Sequence, residues 1–524
     1  MITKGIIRKG AYFDSVTLMI VSRKLSALEG VIDSSIVMGT PENKAILEAA
    51  GLMIDTFTES SDTDLLVAIQ TENQDLFEKA LVALDAMLEE VRHRKDDSDE
   101  FQPVSFQGAL DQMPEANLAL ISIAGKYAAR EAEKALERGL HVMIFSDNVS
   151  IEDEKRLKEL GRDKGLLVMG PDCGTAIING IPLAFANVVP RGNIGIVAAS
   201  GTGLQEVSSV IAHEGAGISQ AIGTGGRDVK EAIGGIMFLS AMDALHRDDQ
   251  TDVIVLVSKP PHEDVLLRIA QKIATFSKPV VSIFIGGDMS VLERHGSHVA
   301  DTLEKCGLIA AALGKGEDPG AVLTRLTSRS RELELLSTKE AAGKGGRKYL
   351  RGLFSGGTLC DEAQLILKKS LGDCWSNTPL NPAFRLEDVW KSQGNTIVDL
   401  GDDEFTVGRP HPMIDFSLRN RRIVDEAKDV DVAVILLDVV LGYGSHPDPA
   451  GELTPAIRKA LEQAPEITIV CSITGTNGDP QNREHVERAL VEAGAVVMPT
   501  NAAATELAEK ILLQCTEAES RIET

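Results

Sequence analysis

The sequence predicts an α/β protein in which helices cover mostly parallel sheets. Short, uniformly apolar runs such as VAVILLD and ITIVCSI alternate with helix-length amphipathic segments along most of the chain. Strands that are apolar on both faces are typical of parallel sheets buried between helices. The 524 residues, with 47 glycines and only 4% aromatic residues, fit several such domains rather than one.

The composition excludes several classes of function. The net charge of −25 repels phosphate backbones and anionic membranes, so neither nucleic acid nor a membrane is an expected partner. The six cysteines are scattered without CxxC or zinc spacing, and no metal site is predicted. The sequence shows no signal peptide and no apolar run of about 18 residues, and we expect a soluble cytoplasmic protein.

Residues 1–112 are predicted to form a small α/β domain. The apolar runs SVTLMIV, SSIVMG and DLLVAIQ precede a helix that begins near residue 74. Spacing of three to four residues predicts that this helix buries Leu76, Ala80, Leu84 and Met87. The charged segment RKDDSDEFQPVSFQ (94–107) is typical of a linker.

Residues 113–190 predict a truncated Rossmann-like domain. The strands NLALISIAG, LHVMIFSD and LLVMG alternate with two helices, and this order requires crossover connections and a parallel sheet. Gly139 is placed to end the first helix, and Ser150 is placed to cap the second.

Residues 191–320 and 348–524 predict two flavodoxin-like domains, joined by a linker at 321–347 that includes a helical piece. The strands of the first are IGIVAAS, ISQAIGT, DVIVLVSK and VVSIFIGG; those of the second are LRGLFS, NTIVDL, VAVILLD, ITIVCSI and AVVMPT. The shared order of strands and helices indicates an internal duplication.

In each half, the first strand stops at a small, polar turn and a helix begins at once. The first junction is SGTG (Ser200, Gly201, Thr202, Gly203) and the second is SGGT (Ser355, Gly356, Gly357, Thr358). The unpaired N–H groups and the dipole of a helix start favour an anion, and glycine lets that anion approach the backbone. One such junction could be a simple N-cap, but two at the ligand-binding edges of their sheets favour an anion site. Neither a P-loop nor a dinucleotide-binding glycine motif occurs.

The loop GRPHPMID (408–415) follows another strand of the second half and contains Arg409, His411 and Asp415. Its two prolines would hold side chains in place. Arg409 could then pair with a phosphate or carboxylate, and His411 could act as a general acid or base. The alternative is a structural turn that carries a surface histidine.

Further loops lie at the same sheet edges. GYGSHPDPAG and GTNGDPQN contain His446, Asp448, Asn477 and Asp479, which turn chemistry explains better than a metal site. Two more loops are candidates for substrate contact: GPDCGT, with Gly170, Pro171, Asp172, Cys173, Gly174 and Thr175, and the nest-like GTGGRD, with Gly225, Gly226 and Arg227. Cys173 is a candidate nucleophile, although a small buried residue fits its context better.

The motifs GPDCGTAI, GNIGIVAASGTGLQE, AIGTGGRDV and SKPVVSIFIGG resemble the α-subunit of succinyl-CoA synthetase and its NDP-forming acyl-CoA synthetase relatives. The resemblance implies a CoA-binding-type domain and two ligase domains whose helix starts, here Ser200–Thr202 and Ser355–Thr358, bind a phosphohistidine. His295 and His298 are the candidates by position. Neither lies in the family's GHAGA loop, and solvated histidines at a helix start are the alternative. No ATP-grasp domain is recognised, so this route would need a partner subunit.

A resemblance over nearly the whole chain is to the FdrA proteins, carried by FDSVTLMIVSRKL, VMGTPENKA, MIFSDNVSIEDE, IVDLGDDEFTVGRPHPMID and LLDVVLGYG. It implies an acyl-CoA-synthetase-like subunit that works with companion subunits as an oxamate carbamoyltransferase of purine and allantoin catabolism. That enzyme exchanges a carbamoyl group between oxamate and carbamoyl phosphate. We therefore expect acyl or carbamoyl transfer in a homo- or hetero-oligomer, with phosphate, carbamoyl phosphate or CoA as substrates and no resident cofactor. The alternatives are an acyl-CoA ligase subunit and a non-catalytic, anion-sensing scaffold.

Overall fold

The computed structural model describes residues 2–522 except 12, 14, 27, 29, 41–42, 45–46, 49–50, 97–102, 104, 343, 345 and 407–409. Two compact units are present: Met1–Pro114 with Thr406–Pro410, and Glu115–Phe405 with His411–Thr524. Within the described residues, no helix is both long and apolar enough to span a bilayer.

The first unit contains an antiparallel sheet of β1 (Ile2–Arg8), β2 (Val31–Met38) and β3 (Leu65–Thr71), with β3 in the centre. Its described helices are α1 (Ser15–Ser26), α2 (Gln74–Asp96) and α3 (Phe106–Gln112), and a 3-10 turn covers Asp55–Glu59. The apolar run SVTLMIV is therefore helical.

Two expectations for this unit need correction. The α2 helix buries Phe77, Ala80, Leu84 and Leu88, whereas Leu76 and Met87 stay half-exposed. Phe77 is buried in place of Leu76, and Leu88 is buried in place of Met87, so the buried face of the helix is shifted by one residue at both positions. The linker expected at 94–107 is shorter, because α2 continues to Asp96 and α3 begins at Phe106; residues 97–102 and 104 lie outside the described residues.

The second unit begins with a small parallel sheet of β4 (Leu118–Ile121), β5 (His141–Ile144) and β6 (Val168–Met169), connected by α4 (Gly125–Glu137) and α5 (Ile151–Lys164). Gly139 follows α4 with a φ of +81°, the left-handed conformation expected after a helix. The Ser150 hydroxyl accepts a hydrogen bond from the Asp153 N–H at 3.1 Å and caps α5. The predicted crossover order and both helix ends are confirmed.

Seven strands form the next sheet: β7 (Thr175–Ile178), β8 (Ile181–Ala184), β9 (Arg191–Ala198), β10 (Ile218–Gly223), β11 (Val253–Ser258), β12 (Val280–Phe284) and β13 (Ser297–Val299). Their spatial order is β13–β12–β11–β9–β10–β7–β8. Strands β9 to β13 are parallel and follow the flavodoxin order 2-1-3-4-5. The helices of this half are α6 (Gly201–His213), α7 (Ile236–Arg247), α8 (Glu263–Ile273), α9 (Ser290–Arg294), α10 (Leu303–Gly314) and α11 (Gly320–Ala341).

Strands β7 and β8 form an antiparallel hairpin that the strand pattern does not predict. Its turn is Asn179–Gly180, and both residues have positive φ. An Asn-Gly pair between apolar residues is the strongest short signal for such a hairpin, so AIINGIPLA did carry the information.

The second half repeats the order of the first. Its strands are β14 (Tyr349–Phe354), β15 (Thr396–Asp399), β16 (Val432–Val440), β17 (Thr468–Thr474) and β18 (Val496–Met498), all parallel in the order β15–β14–β16–β17–β18. Its helices are α12 (Gly357–Leu371), α13 (Asp403–Thr406), α14 (Ser417–Glu426), α15 (Pro449–Gln463), α16 (Arg483–Glu492) and α17 (Asn501–Ile522). This is again 2-1-3-4-5, which confirms the predicted duplication.

One apolar core runs through both halves. Val207 of α6, Leu359 of α12 and Leu507 of α17 are all fully buried in it. The two halves are therefore packed as one body, and the first helix of each half lies against the other half.

Candidate functional site

The starts of α6 and α12 meet directly. The Ser200 hydroxyl caps α6 by accepting a hydrogen bond from the Gly203 N–H at 3.0 Å, and Ser200 Oγ also lies 2.6 Å from Thr358 Oγ1. A Cβ added to Gly356 would lie only 2.9 Å from Thr202 Cγ2, so no larger residue fits there without a shift. The structure thus brings the two predicted junctions into one place.

The second junction is not an open anion site, because the protein's own carboxylate fills it. Asp438 of β16 accepts hydrogen bonds from the Ser355 N–H and the Gly356 N–H, both at 2.8 Å. The Ser355 hydroxyl donates to the same carboxylate at 3.0 Å. Arg419 of α14 lies 3.0 Å from Asp438, and both side chains are fully buried. The expectation of two equivalent anion sites is wrong at Ser355 and Gly356 for this reason.

Asp399, the last residue of β15, also faces the start of α12. A Cβ added to Gly357 would lie 2.5 Å from its Oδ2, and its Oδ1 accepts a hydrogen bond from the Gly401 N–H at 2.9 Å. Burial raises the pKa of Asp399 to about 7. This carboxyl can therefore gain or lose a proton near neutral pH.

His411 lies beside Asp399 and stays neutral. Burial and the Arg419 guanidinium lower the pKa of His411 to about 4. Its Nδ1 accepts a hydrogen bond from the Met413 N–H at 3.2 Å, so the neutral ring carries its proton on Nε2. A Cβ on Gly401 would lie 2.7 Å from that Nε2 and 3.1 Å from Asp399 Oδ1, so both groups point at one spot.

The structure does not place the other two candidate residues of the GRPHPMID loop, Arg409 and Asp415, at this site. Arg409 lies outside the described residues. Asp415 accepts a hydrogen bond from the Ser417 N–H at 2.7 Å, which holds the start of α14. Of the three predicted side chains, the structure therefore places only His411 at the helix starts.

The GPDCGT and GTGGRD loops lie against each other beside the first junction. A Cβ on Gly225 would meet the Pro171 carbonyl oxygen at 2.3 Å, and one on Gly201 would meet Thr175 Oγ1 at 3.3 Å. Burial and the Asp147 carboxylate raise the pKa of Asp172 to about 6. Gly226 belongs to the same contact, because a Cβ there would lie 3.8 Å from the Ala199 carbonyl oxygen.

Cys173 and Arg227 hold this region together rather than face a substrate. Burial raises the pKa of the Cys173 thiol to about 12, which argues against a nucleophile and for a small buried residue. Arg227 forms an ion pair with the buried Glu154 at 2.8 Å and donates to the Val149 carbonyl at 2.9 Å. Its charge is therefore already balanced.

An aromatic row that sequence reasoning missed lies next to His411. The rings of Phe145 and Phe185 stack with centroids 5.7 Å apart, and Phe185 is 6.2 Å from the His411 ring. The Phe185 N–H donates to the Gly174 carbonyl at 2.8 Å, which fixes this ring to the GPDCGT loop. Phe185 follows the unpredicted β7–β8 hairpin, so the residue could not be placed without that hairpin.

Within the described residues, no hydrogen bond or ion pair joins either candidate phosphohistidine to the helix starts. His298 lies in β13, three strands away from β9, which is about 14 Å across a sheet. His295 ends the short α9, and its Nδ1 lies 2.7 Å from the Val291 carbonyl oxygen. The alternative, solvated histidines at a helix start, is not confirmed either, because His295 follows the C-terminal end of α9 and the exposed His298 belongs to a strand.

The GYGSHPDPAG and GTNGDPQN loops serve packing. Asp479 accepts hydrogen bonds from the Val188 N–H at 2.6 Å and the Asn187 side chain at 3.0 Å, which ties the second half to the first. Asp448 caps α15, and the buried His446 accepts a hydrogen bond from the Asp448 N–H at 3.0 Å. Asn477 donates to Glu484 at 2.6 Å. The preferred explanation by turn chemistry agrees with these contacts.

Two buried carboxyls lie one turn below the helix starts and were not expected. Glu206 of α6 accepts a hydrogen bond from the Asn501 N–H at 2.9 Å, and Glu362 of α12 accepts one from the Asn501 side chain at 2.7 Å. Burial raises the pKa of Glu206 to about 7 and that of Glu362 to about 8. Asn501 therefore bridges the same position of both helices.

Models of three protein families match the chain. The model named "CoA-ligase" covers residues 353–511, and "CoA binding domain" covers 190–286. These two matches coincide with the duplicated halves that carry the helix starts. A model named "AllF, heavy metal-associated domain" covers residues 1–103.

Relatives of the chain are found at two levels of similarity. The uncharacterized protein YahF of Escherichia coli K12 is 40% identical over 522 residues, which is 99% of this chain and 100% of YahF. The succinate–CoA ligase [ADP-forming] subunit alpha 2 of Archaeoglobus fulgidus is 27% identical over 176 residues, 33% of this chain and 60% of that one. Among solved structures, the dinucleotide-forming acetyl-coenzyme A synthetase 1 of Ca. Korarchaeum cryptofilum is 14% identical with a TM-score of 0.31, covering 78% and 84%.

The name of the N-terminal family model implies a heavy-metal site, but the residues do not fit one. Residues 1–103 contain no cysteine and a single histidine, His93. Soft heavy metals select thiolate ligands, which this segment cannot supply. Among the described residues, no group of three or more His, Cys, Asp and Glu side chains is arranged to hold a metal ion. We therefore derive no metal chemistry from this domain.

Proposed function

Because the chain belongs to the same family as YahF, a family of FdrA-like, acyl-CoA-synthetase-like proteins, we propose that it is an enzyme subunit that transfers a small acyl or carbamoyl group to and from phosphate. The observation that carries the proposal is the contact of the two helix starts, where Ser200 Oγ lies 2.6 Å from Thr358 Oγ1. This contact joins an open helix start to a carboxyl that gains or loses a proton near neutral pH and to an imidazole that is neutral there.

The start of α6 is the proposed phosphate site. Gly201 is exposed and Thr202 is half-exposed, and among the described residues their N–H groups have no hydrogen-bond partner. These N–H groups and the helix dipole would bind phosphate oxygens, and the Thr202 hydroxyl would add a donor. Since Asp438 already fills the second start, one phosphate per chain is expected at this place.

Asp399 and His411 are the proposed proton-handling groups. When phosphate attacks a carbamoyl carbon, the bond from that carbon to the leaving nitrogen breaks and the nitrogen needs a proton. Protonated Asp399, with a pKa of about 7, is the candidate donor. The Nε2–H of neutral His411 would stabilise the oxyanion that develops on the carbamoyl oxygen.

We propose carbamoyl transfer between oxamate and carbamoyl phosphate as the specific reaction, with companion subunits completing the enzyme. Support comes from the FdrA resemblance and from the match of residues 1–103 to a model named for AllF. His298 lies three strands away from β9 and His295 bonds to its own helix α9, which favours a substrate phosphate over a phosphorylated histidine as the anion there.

The test is phosphate-dependent cleavage of N-carbamoyl oxamate by the complex with its companion subunits, measured as carbamoyl phosphate formed. Thr202→Glu places a carboxylate at the start of α6 and should lower the rate by about 100-fold or more, the cost of blocking a preorganised anion site. Thr202→Ser keeps the hydroxyl and is the matched control. Cleavage that Thr202→Glu leaves unchanged would remove the phosphate site from α6.

An acyl-CoA ligase subunit that uses an ATP-grasp partner is the second candidate, favoured by the two CoA-related family models. It predicts acid-labile labelling of the chain by radiolabelled ATP when such a partner is present, and CoA binding by calorimetry. Labelling of His295 or His298, combined with no cleavage of N-carbamoyl oxamate, would favour this candidate over the first.

A further inference from the structure

Lys259 connects the two halves of the chain beside the helix starts. It follows β11, whose Val257 pairs with Ala198, the last residue of β9, so its backbone lies next to the strand that leads into the first start. Its ammonium reaches α12 of the second half and forms an ion pair with Asp361 at 2.6 Å. A lysine of the first half therefore neutralises a carboxylate of the second half at this place.

Asp361 lies on the face of α12 that also contacts Asp399. It stands four residues after Gly357, and residues four apart share one face of a helix. A Cβ on Gly357 would lie 2.5 Å from Asp399 Oδ2, so Asp399 rests against that face. Asn377 holds the backbone of Asp399 there, since it donates to the Asp399 carbonyl at 3.0 Å and accepts from the Asp399 N–H at 2.9 Å. Two carboxyls and one ammonium therefore lie on one side of α12.

The two carboxyls are shielded from water, so their charges and that of Lys259 act on each other. The Asp361 side chain is 9% exposed and Asp399 is 8% exposed, whereas Lys259 is 47% exposed. Burial raises the pKa of Asp399 to about 7, the Gly401 N–H and the Lys259 ammonium oppose this rise, and Asp361 adds to it. Burial likewise raises the pKa of Asp361, and Lys259 opposes that rise as well.

The other titratable groups around Asp399 come from neighbouring elements and are Cys360, Asp402, His411 and Arg419. Burial keeps the Cys360 thiol neutral by raising its pKa well above its usual value, and it keeps His411 neutral by lowering its pKa to about 4. Arg419 is paired with Asp438 at 3.0 Å. Asp402 acts on Asp399 in the same direction as Asp361 does. In the described part of the chain, the positive charge of Lys259 therefore opposes two carboxylates around Asp399.

We propose that Lys259, held in place by Asp361, is a positioning residue that keeps Asp399 able to take up and release a proton. This role rests on the proposed transfer reaction, in which a proton moves from an Asp399 oxygen to the leaving nitrogen and leaves a carboxylate behind. The Lys259 ammonium stabilises that carboxylate. Asp361 balances the ammonium, so that Asp399 does not lose its proton before the reaction.

Two neutral variants should move the titration of Asp399 in opposite directions. Lys259→Met removes the ammonium and leaves Asp361, so Asp399 should release its proton at a pH about one unit higher. Asp361→Asn leaves the ammonium without its counter-charge, so the release should shift to lower pH by a similar amount. Lys259→Arg keeps the charge and should behave like the wild type. A general disturbance of the structure would not produce shifts of opposite sign.

Infrared difference spectroscopy on the full chain measures this titration without any enzymatic activity. It follows the C=O stretch of protonated Asp399, identified as the band that Asp399→Asn removes. In the complex with its companion subunits, the fall of the cleavage rate with rising pH should shift in the same directions. Lys368→Met is the matched control, because Lys368 of α12 is 50% exposed and pairs with Asp373 at 2.9 Å. It should leave the titration of Asp399 unchanged.

The infrared result separates this role from the proposed reaction. Opposite shifts in the two variants, in a complex that shows no phosphate-dependent cleavage, would remove the transfer reaction and leave the coupling of Lys259 to Asp399 in place. A titration of Asp399 that is the same in the wild type and both variants would overturn the role of Lys259. Shifts in the same direction, or the absence of any band that Asp399→Asn removes, would overturn it as well.

Discussion

The two helix starts have similar sequences, SGTG and SGGT, and yet they differ in whether a carboxylate of the protein is bound there. At the first, the Ser200 side chain caps its own helix, Gly201 is exposed and Thr202 is half-exposed. At the second, Ser355 and Gly356 give their N–H groups to Asp438, which is buried with Arg419. Within the described residues, no carboxylate occupies the backbone N–H groups of the first start, whereas Asp438 fills the second.

The difference lies in the neighbouring strand and not in the motif. In the second half, Leu353 of β14 pairs with Leu437, which puts Asp438 one residue further along β16. In the first half, Ala198 of β9 pairs with Val257, which puts Ser258 at the matching position of β11. A small neutral serine leaves the first start open, whereas aspartate closes the second. The residue on the neighbouring strand therefore determines whether a carboxylate of the protein fills the helix start.

Removing the internal carboxylate should have the largest effect. Asp438→Ala leaves Arg419 buried without a counter-charge, and breaking a buried pair in this way costs about 3–5 kcal/mol of unfolding free energy. Ser258→Ala at the matching position of the first half should cost less than about 1 kcal/mol. Urea unfolding of both variants measures the contrast. Equal losses would mean that the two starts do not differ in the way described.

One turn further down, the two helices become alike, and this similarity predicts a dependence on pH. Glu206 and Glu362 each stand sixth in their helix, and burial raises their pKa values to about 7 and about 8. Both carboxyls are neutral in the folded protein below those values. Their contribution to stability is complete below the unfolded pKa of about 4.3 and is lost as the pH rises through about 7 and about 8.

For Glu206, the loss between pH 5 and pH 8 should be on the order of 3 kcal/mol, since one pKa unit corresponds to about 1.4 kcal/mol. Glu206→Gln keeps an acceptor for the Asn501 N–H and cannot ionise, so unfolding measured against pH should become flatter. Glu462→Gln, on the exposed face of α15, is the control. A wild-type protein that is equally stable at both pH values would contradict the neutral, buried state of this carboxyl.

Gly356 of the second start is packed more tightly than Gly201, the glycine at the matching position of the first start. Gly356→Ala puts a Cβ 2.9 Å from Thr202 Cγ2, and overpacking of this kind costs about 1–3 kcal/mol. Gly201→Ala meets only Thr175 Oγ1 at 3.3 Å and should cost less. Combining Gly356→Ala with Thr202→Ser removes the methyl group and should restore part of the stability. If Thr202→Ser restores none of it, the two starts are not in contact.

Much of the fold was readable from sequence because it depends on local pattern. Apolar runs and helix-length segments predicted all the parallel strands of both halves except the short β13, and the N-cap chemistry of Ser200 is local as well. The β7–β8 hairpin was missed although its Asn-Gly turn is a local signal.

The site was harder, because its decisive contacts join distant residues. Asp438 lies 83 residues from Ser355 in the sequence, and no residue near the SGGT motif predicts this contact. A single aspartate inside the apolar run VAVILLDVV was the available clue, since a fully buried charge needs partners. Glu206 and Asn501, 295 residues apart, could be joined only by the packed structure.

The smallest expected effects come from removing the hydroxyl groups of Ser200 and Thr358, which link the two helix starts. Ser200→Ala removes both the cap on the Gly203 N–H and the bond to Thr358, whereas Thr358→Val removes only the latter. A lost N-cap costs about 1 kcal/mol, and a neutral hydrogen bond contributes about 0.5–1.5 kcal/mol. Ser200→Ala should therefore be the more destabilising variant. The double variant should cost less than the sum of the two, because the shared bond is counted twice.

Ser355→Ala extends this comparison to the filled start. Its hydroxyl donates to a carboxylate rather than to a neutral group, so its loss should cost about 1.5–3 kcal/mol, more than Thr358→Val. Strict additivity of Ser200→Ala and Thr358→Val in urea unfolding would show that no bond joins the two helix starts. The proposed transfer site would then lose the contact on which it rests, whatever the stability of the Asp438 pair.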